Sequence, residues 1–309
     1  MFDFIKFGKY CIIFSIIITI IGFISFFTRG LVMDIDFKGG NIIEIKIGKA
    51  FDNNQIANIV KTTVGKEAVV QKLGAKQENV SIKTEHLTQE QSAEIFSAIK
   101  KQFNLAEKNP LSVRAVEPLM GQEIWSKGIM SMIIASVLIL IYISIRFRLM
   151  SSFVAGVTAV LSIVHDAFIM FTVYSLLQIP VNSSFVAAVL TILGYSIHDT
   201  IVVFDRIREN QGILRKVSRT ELANISILQT LSRSIKTVLT VLICVVTLYV
   251  FGYIYGVQSI KEFTLPLIIG LVSGTYSSIF VSSPLWVWWK DSEDGKQVSK
   301  VKASKIKPA

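Results

Sequence analysis

The chain has 309 residues and a formal net charge of +10, with 51% hydrophobic and 17% charged residues. Its apolar residues are gathered into long runs, which excludes an ordinary soluble domain and indicates a membrane protein. The basic residues are not interleaved with aromatic ones, so we expect no nucleic-acid partner despite the positive charge.

Six apolar runs are each long enough to cross a bilayer as a helix. The predicted spans cover residues 10–27, 129–145, 153–177, 183–204, 237–255 and 263–289. The first run follows Lys6 and Lys9, but its length of about eighteen residues exceeds the usual apolar core of a signal peptide, and no small-residue cleavage site follows it. We therefore expect an uncleaved anchor with a cytoplasmic N-terminus.

Basic residues are concentrated on one side of these spans. They are Lys6, Lys9, Arg146, Arg148, Arg206, Arg208, Arg215, Lys216, Arg219, Arg233, Lys236, Lys290 and the lysines of the tail from Lys296. In the short segments expected on the other side, the one basic residue is Lys261. The positive-inside rule therefore places both termini in the cytoplasm, with the lipid bilayer as the surroundings of the spans.

Residues 31–123, between the first two spans, have the pattern of a soluble α+β domain outside the membrane. Alternating polarity predicts strands over residues 41–47, 69–73, 79–84 and 111–116, and capped amphipathic segments predict helices over 51–64 and 88–103. This βαββαβ order indicates a ferredoxin-like fold. We expect no catalytic residue in it and interpret the domain as a binding or lever element.

The predicted architecture is a polytopic α-helical membrane protein with six transmembrane helices and one periplasmic α+β domain. Its parts are residues 1–30 (cytoplasmic N-terminus and first span), 31–123 (periplasmic ferredoxin-like domain), 124–289 (five transmembrane helices) and 290–309 (basic cytoplasmic tail). The amphipathic segment 220–231 is predicted to lie on the inner membrane surface.

Asp199 is the most informative residue, because it places a carboxyl group inside the fourth span. An Asp near a helix centre costs about 2.5 to 3.5 kcal/mol to insert, so it is expected to be a proton or ion site or part of a buried pair. Tyr195 and Ser196 share its helical face, whereas Ile197 and Ile201 are expected to face lipid. An Asp that only holds helices together is the alternative.

Further titratable residues lie in the third and fourth spans. His165 and Asp166 are candidates for proton coupling, although the two can also form a local hydrogen-bonded pair where helices pack. His198 precedes Asp199, but neighbours on a helix point about 100° apart, so the two are not automatically partners. The two cysteines lie within spans without metal-like spacing, and no metal or cofactor is expected.

Two glycine motifs have structural explanations. Asp36-Phe37-Lys38-Gly39-Gly40 connects the first span to the first strand, where glycines supply positive φ angles and the Asp accepts turn hydrogen bonds. In the sixth span, Gly270 and Gly274 form a GxxxG pair that permits close helix contact.

Residues 194–210, GYSIHDTIVVFDRIREN, resemble the signature of the SecF family of bacterial protein-secretion subunits. The Asp36 motif, the His165-Asp166 pair, residues 231–235 and residues 270–278 resemble that family in order and spacing, so the resemblance covers about residues 1–290. The motif residues in this resemblance are Asp36, Phe37, Gly39, Gly40, Gly194, Tyr195, Ser196, Thr200, Asp205, Arg206, Gly270 and Gly274.

The resemblance implies a non-enzymatic subunit of the bacterial inner membrane. Such a subunit pairs with SecD and uses the proton gradient to help draw unfolded preproteins out of the SecYEG channel, with YajC and YidC as further partners. The resemblance makes Asp199 the proton carrier and gives Arg233 a role in coupling. The position of Arg233 alone would indicate a side chain that snorkels at the membrane edge. His198 departs from the family's usual Asn and can shift the pH at which Asp199 loads.

Two other functions have weaker support. An intramembrane protease would need a motif such as HExxH or GxGD, and neither occurs in the sequence. A proton-coupled exporter of small molecules or lipids from the same resistance-nodulation-division superfamily needs about twice this architecture, so the chain would be half of such a pump.

Overall fold

The computed structural model describes residues 2–74, 76–146, 152–214 and 216–293. Among these residues, six helical segments are long and apolar enough to cross a membrane: Phe4–Arg29, Gly121–Arg146, Phe153–Leu177, Ser183–Ile213, Arg219–Ile254 and Gln258–Glu293. The six predicted spans are confirmed as apolar helices, and the chain is a multi-pass membrane protein. Arg148, Arg215 and the tail from Lys296 lie outside the described residues.

In chain order the helices are α1 (Phe4–Arg29), α2 (Ile35–Lys38), α3 (Asn53–Val64), α4 (Gln89–Phe103), α5 (Pro118–Arg146), α6 (Ser152–Leu177), α7 (Ser183–Ile213), α8 (Arg219–Ile254) and α9 (Gln258–Ser277). The strands are β1 (Gly40–Lys46), β2 (Ala68–Leu73), β3 (Asn79–Thr84) and β4 (Ser112–Val116). After α9 the helix continues through a π-helical turn, Ser278–Ser282, just before Pro284. Proline has no N–H to donate to the previous turn, which explains the widened helix.

The segment 220–231 is the beginning of α8 rather than a helix on the membrane surface. Leu222 and Ile227 are buried in the core of the helix bundle. Nearby, the Asn210 Nδ2 of α7 donates a hydrogen bond to Ser226 Oγ at 2.8 Å. The prediction is wrong because the apolar face of this segment packs inside the bundle.

Helix α7 lies at the centre of the bundle and contacts α5, α6, α8 and α9. Two glycines of α9 allow its close approach. A Cβ at Gly270 would lie 2.5 Å from Ile192 Cγ1, and one at Gly274 would lie 3.2 Å from Ser196 Cβ. The close contact predicted from the GxxxG pair is therefore confirmed.

Replacing Gly270 with alanine should destabilise the contact between α7 and α9. Ile192 is 2% exposed, so its side chain cannot move aside without disrupting the packing of the core. Overpacking of this kind costs about 1 to 3 kcal/mol. Gly212→Ala is the matched control, because no described atom lies within 4 Å of a Cβ at that helical position. Thermal unfolding in detergent should show a lower midpoint for Gly270→Ala only; equal midpoints would contradict the packing argument.

The four strands form an antiparallel sheet in the order β2-β3-β1-β4, with α3 and α4 in the two crossover connections. The core on one face of the sheet consists of buried apolar side chains, among them Ile43, Ile45, Val80, Ile82, Ile56, Ile59, Ile95 and Ile99. The other face carries Glu44, Ser81 and Lys83, because side chains alternate along a strand. Each of these helices and strands begins and ends within two residues of its predicted limits.

The Asp36 motif folds as a short helix, α2, which the sequence did not predict. Asp34 caps it by accepting a hydrogen bond from the Ile35 N–H at 2.9 Å. Gly39 and Gly40 follow with φ of 77° and 151°, so the predicted positive φ angles are confirmed. Four residues are too few to show a helical period, which is why the pattern indicated only a turn.

Candidate functional site

Asp199 lies within α7 and is buried, with 7% of its surface exposed. Its Oδ1 accepts a hydrogen bond from the Ser234 hydroxyl of α8 at 2.6 Å. Its Oδ2 is also buried, and no group in the described part of the chain donates a hydrogen bond to it. The carboxyl group is therefore held through one oxygen, and the other is available to a proton.

The neighbours of Asp199 on α7 follow the predicted face only in part. Ser196 is buried beside it, and the buried Tyr195 hydroxyl likewise has no hydrogen-bond partner among residues 2–74, 76–146, 152–214 and 216–293. Ile197, expected to face lipid, is 8% exposed, and Ile201 is half-buried. The lipid-facing prediction is wrong for Ile197, because α7 has helices packed around it on several sides.

The two cationic candidates lie at the outside of the bundle. His198 is exposed, which agrees with the angular offset that separates it from Asp199. Arg233 is also exposed, and on α8 it adjoins Ser234, the residue whose hydroxyl binds Asp199. Asp199 is thus bound by a hydroxyl inside the bundle, and the residue next to that hydroxyl in the chain is an exposed cation.

Asp166 of α6 is fully buried and is held by far more hydrogen bonds than Asp199. Its Oδ2 accepts from Ser196 Oγ of α7 at 2.6 Å and from Ser277 Oγ of α9 at 2.8 Å. Its Oδ1 accepts from Ser273 Oγ of α9 at 2.7 Å and lies 3.2 Å from His165 Nδ1. The predicted local pair with His165 is present, as one part of a cluster that joins α6, α7 and α9.

Hydroxyl groups continue this cluster toward Asp199. The Thr200 and Ser278 hydroxyls lie 2.9 Å apart, and both donate to the backbone carbonyl of Ser196. Helix α7 is therefore tied to the π-helical turn after α9 through Ser196 and Thr200, and to α8 through Asp199 and Ser234. Asp199 lies one helical turn from Ser196, the serine of α7 that binds Asp166.

Sequence reasoning assigned no role to three serines that bind the two aspartates. These are Ser234, which binds Asp199, and Ser273 and Ser277, which bind Asp166. The signal was present in α9, where Ser273 and Ser277 are four residues apart and so share one helical face with the predicted GxxxG pair. Small polar residues on a contact face between membrane helices commonly donate hydrogen bonds across it.

Asp205 and Arg206 form ion pairs at the far end of α7. Asp205 lies 3.1 Å from Arg146 of α5 and 3.0 Å from Arg208. Arg206 pairs with Glu209 at 2.5 Å and donates to Gln229 Oε1 of α8 at 2.6 Å. These motif residues hold α7 to α5 and α8.

The Asp36 motif meets the opposite end of α7. Asp36 Oδ2 accepts hydrogen bonds from the Ser183 N–H at 3.0 Å and the Ser183 hydroxyl at 2.5 Å. The Phe37 ring is buried edge-on against Trp125, with 5.2 Å between centroids. The motif therefore attaches the first residue of α7 to the segment that enters the sheet, instead of bonding only within its own turn.

The six apolar helices, with Asp166 and Asp199 buried among them, define a multi-pass membrane protein with acidic residues inside its helix bundle. Residues 95–292 match the family described as "Protein export membrane protein SecD/SecF, C-terminal". The chain belongs to this SecD/SecF family.

Curated relatives agree with this assignment over nearly the whole chain. The chain is 38% identical over 313 residues to the protein translocase subunit SecF of Alicyclobacillus acidocaldarius, covering 99% of this chain and 98% of that protein. It is also 34% identical over 294 residues to the protein translocase subunit SecDF of Bacillus subtilis, covering 94% of this chain and 38% of that protein. The relatives are translocase subunits, and in the second the matching part is joined to a longer chain.

A solved structure has the same fold. The crystal structure of SecDF, a translocon-associated membrane protein from Thermus thermophilus, superposes with a TM-score of 0.80 at 33% identity. The match covers 94% of this chain and 39% of the longer chain. The chain therefore corresponds to well under half of that protein.

Proposed function

We propose that the chain is a non-enzymatic accessory subunit of the bacterial Sec preprotein translocase which, with SecD, uses the proton motive force to promote late-stage export across the cytoplasmic membrane. The observation that carries the proposal is Asp199, a buried carboxyl group inside an apolar helix with one oxygen bonded to Ser234. The names of the relatives support a role in protein translocation.

A proton at Asp199 would change the packing of the bundle. A charged carboxylate in an apolar layer is costly, whereas the neutral acid is tolerated, so gain and loss of the proton favour different surroundings. The bond from Ser234 links that difference to the contact between α7 and α8. Protonation can therefore bias an equilibrium between two arrangements of these helices.

Asp166 and His165 have a different part in the proposed mechanism. Asp166 binds Ser196, so a displacement of α7 around Asp199 reaches α6 through this hydrogen bond, and reaches α9 through Ser273 and Ser277, which also bind Asp166. His165 lies beside Asp166, with 3.2 Å between His165 Nδ1 and Asp166 Oδ1, and supports its position from within α6. The exposed His198 adjoins Asp199 on α7 and is proposed as a second group of the proton relay.

SecD is the proposed partner at the outward face of α7 and α8. Small residues line this face of α7, at Ala187, Thr191 and Gly194, next to the exposed His198. Arg233 is exposed on the adjoining helix. Small residues permit close helix approach, and titratable side chains are poorly suited to lipid. This face is therefore expected to pack against a second membrane protein. In the SecDF relative from Bacillus subtilis, the part that matches this chain is joined to a longer chain, which would supply such a second membrane protein.

We further propose that residues 31–123 form a ferredoxin-like domain in the periplasm, with both termini in the cytoplasm. The strand order β2-β3-β1-β4 and the crossover helices support the fold, and the sidedness of basic residues supports the orientation. The domain would contact the unfolded preprotein as it leaves the SecYEG channel, with YajC and YidC nearby. The region 124–289 would be the five-helix membrane part, and 290–309 the cytoplasmic tail.

The test is an export assay in membrane vesicles that contain the chain, SecD and the channel. The late stage is isolated by arresting a preprotein partway through the channel and then imposing a proton gradient. Gradient-driven completion should require the chain and should stop when an ionophore removes the gradient. Equal completion in vesicles that lack the chain would contradict the proposal.

Arg233→Met should reduce gradient-driven export by about tenfold, in the range of an energetic coupling between two sites. The variant keeps an unbranched side chain but removes the positive charge next to Ser234, the residue that binds Asp199. Lys236→Met is the matched control, because Lys236 is also exposed on α8 and lies one turn further along. If both variants export equally well, Arg233 has no coupling role and only anchors α8 at the membrane edge.

A further inference from the structure

Lys83 of β3 bridges the sheet to the membrane helices. Its side chain is 11% exposed, and Nζ lies 2.6 Å from Asp34 Oδ2 and 3.5 Å from Glu262 Oε1. Asp34 precedes α2, and Glu262 lies in the first turns of α9. One ammonium group therefore joins β3 to two carboxylates from distant parts of the chain.

The cluster extends to the start of α7. Glu262 Oε2 accepts a hydrogen bond from Asn182 Nδ2 at 2.6 Å, and Glu262 Oε1 accepts one from Gln258 Nε2 at 3.0 Å. Asn182 also caps α7, because its Oδ1 accepts from the Phe185 N–H at 3.0 Å. The first residues of α7 and α9 thus meet at Glu262, and Lys83 connects that meeting point to the sheet.

Open space flanks the cluster on two sides. One cavity of about 500 Å³ extends past Glu67, Tyr174 and Lys261, and a second of about 500 Å³ extends past Glu44, Ser81 and Tyr255; both include Asp34, Lys83 and Glu262 in their walls. The apolar core of the sheet and that of the bundle are separate clusters. The sheet is therefore attached here by polar side chains across a gap, rather than by a continuous apolar interface.

The Lys83 side chain is positively charged at neutral pH. Burial alone would lower the pKa of the Lys83 ammonium group, but the hydrogen bond and charge of Asp34, together with the charge of Glu262, outweigh burial and leave the pKa above its ordinary value of 10.5. The stabilisation from this shift is fully present below pH 10.5 and is lost as the pH rises through the higher folded-state pKa. The bridge therefore stays charged throughout the physiological range.

We infer that the Lys83 cluster is the mechanical connection through which movement of α7 and α9 reaches the sheet. Asp199 lies on α7 about 25 Å from Asn182 at the helical rise per residue, so a tilt of that helix moves Asn182 relative to Glu262. Because Lys83 binds Glu262, the displacement passes into β3. This inference rests on the proposed function, and it makes Lys83, Asp34 and Glu262 positioning residues.

Lys83→Met tests the connection in the full chain assembled with SecD and the channel. Gradient-driven export should fall about tenfold, while proton entry into sealed vesicles, read from an enclosed pH-sensitive dye, should persist. Lys83→Arg keeps the charge and should retain most of the export. Lys61→Met is the control, because Lys61 forms an ion pair with Glu67 on the same sheet domain but is 63% exposed.

Two readouts separate failure of this inference from failure of the proposed function. Normal export by Lys83→Met, alongside lost export by Asp199→Asn, would overturn the connection and leave the proposed function standing. Loss of proton entry together with export in Lys83→Met would also overturn it, because Lys83 would then be needed for the bundle itself. Normal export by Asp199→Asn would remove the proposed function and the inference together.

Discussion

Replacing Asp199 with asparagine should abolish gradient-driven export while leaving the fold intact. Asparagine has the shape of the protonated acid but cannot ionise, so the bundle would lose its alternation between charged and neutral states. The amide oxygen can still accept the Ser234 hydrogen bond, which is the one bond the carboxyl group makes among the described residues. We therefore expect the free energy of unfolding to change by no more than about 1 kcal/mol.

Export and stability are measured on the same Asp199→Asn preparation. Completion of an arrested preprotein should become independent of the imposed gradient, and the midpoint of thermal unfolding in detergent should match the wild type. Asp52→Asn is the control for an acid-to-amide change, because Asp52 caps α3 through its Oδ1 and asparagine caps a helix equally well. Export that still responds to the gradient in Asp199→Asn would refute the proton-carrier role.

The membrane spans were predictable because their signal is local and strong. A run of apolar residues long enough to cross a bilayer has few alternative structures in lipid, since every backbone polar group must be bonded within the helix. The limits were less accurate: α5 begins at Pro118, inside the segment 31–123 assigned to the outer domain, and α8 begins at Arg219 rather than at residue 237. Helices extend beyond the apolar run when packing supports them, and hydropathy does not detect packing.

The acidic residues of the site were predictable, but their partners were not. A carboxylate inside an apolar run is visible in the sequence, whereas Ser234, Ser273 and Ser277 are common residues whose meaning depends on which helices pack together. Ser273 and Ser277 are 107 and 111 residues from Asp166 in the chain. The Lys83 cluster was unpredictable for the same reason, because 179 residues separate Lys83 from Glu262. Only the folded bundle brings these groups together.

The hydrogen bonds also separate the two aspartates. The sequence named both as candidates for proton coupling, with Asp199 as the carrier and a local pair with His165 as the alternative for Asp166. Asp199 has one bonded oxygen, while both oxygens of Asp166 accept from serines on two other helices. A group that must gain and lose a proton needs surroundings that tolerate both states. A group bonded on every side is better suited to holding helices in place, so the two residues should respond differently to substitution.

Asp166→Ala should destabilise the whole bundle. The change removes the acceptor for Ser196, Ser273 and Ser277. Ser277 can still donate to the Gly274 carbonyl at 3.1 Å, so two hydroxyl groups, those of Ser196 and Ser273, are left without an acceptor at the contact of α6, α7 and α9. Each unsatisfied buried donor costs about 1 to 3 kcal/mol, so the total is several kcal/mol. Thermal unfolding in detergent should show a markedly lower midpoint, and export should fall because less folded protein reaches the membrane.

A matched variant shows whether the missing hydrogen bonds cause this loss. Adding Ser273→Ala and Ser277→Ala to Asp166→Ala removes the Ser273 hydroxyl, which has lost its acceptor, and the Ser277 hydroxyl, so stability should partly return although more side chains have been truncated. Ser273→Ala and Ser277→Ala without the Asp166 change should lower the midpoint only modestly. If Asp166→Ala were as stable as Asp199→Asn, the serine cluster would not hold the helices together.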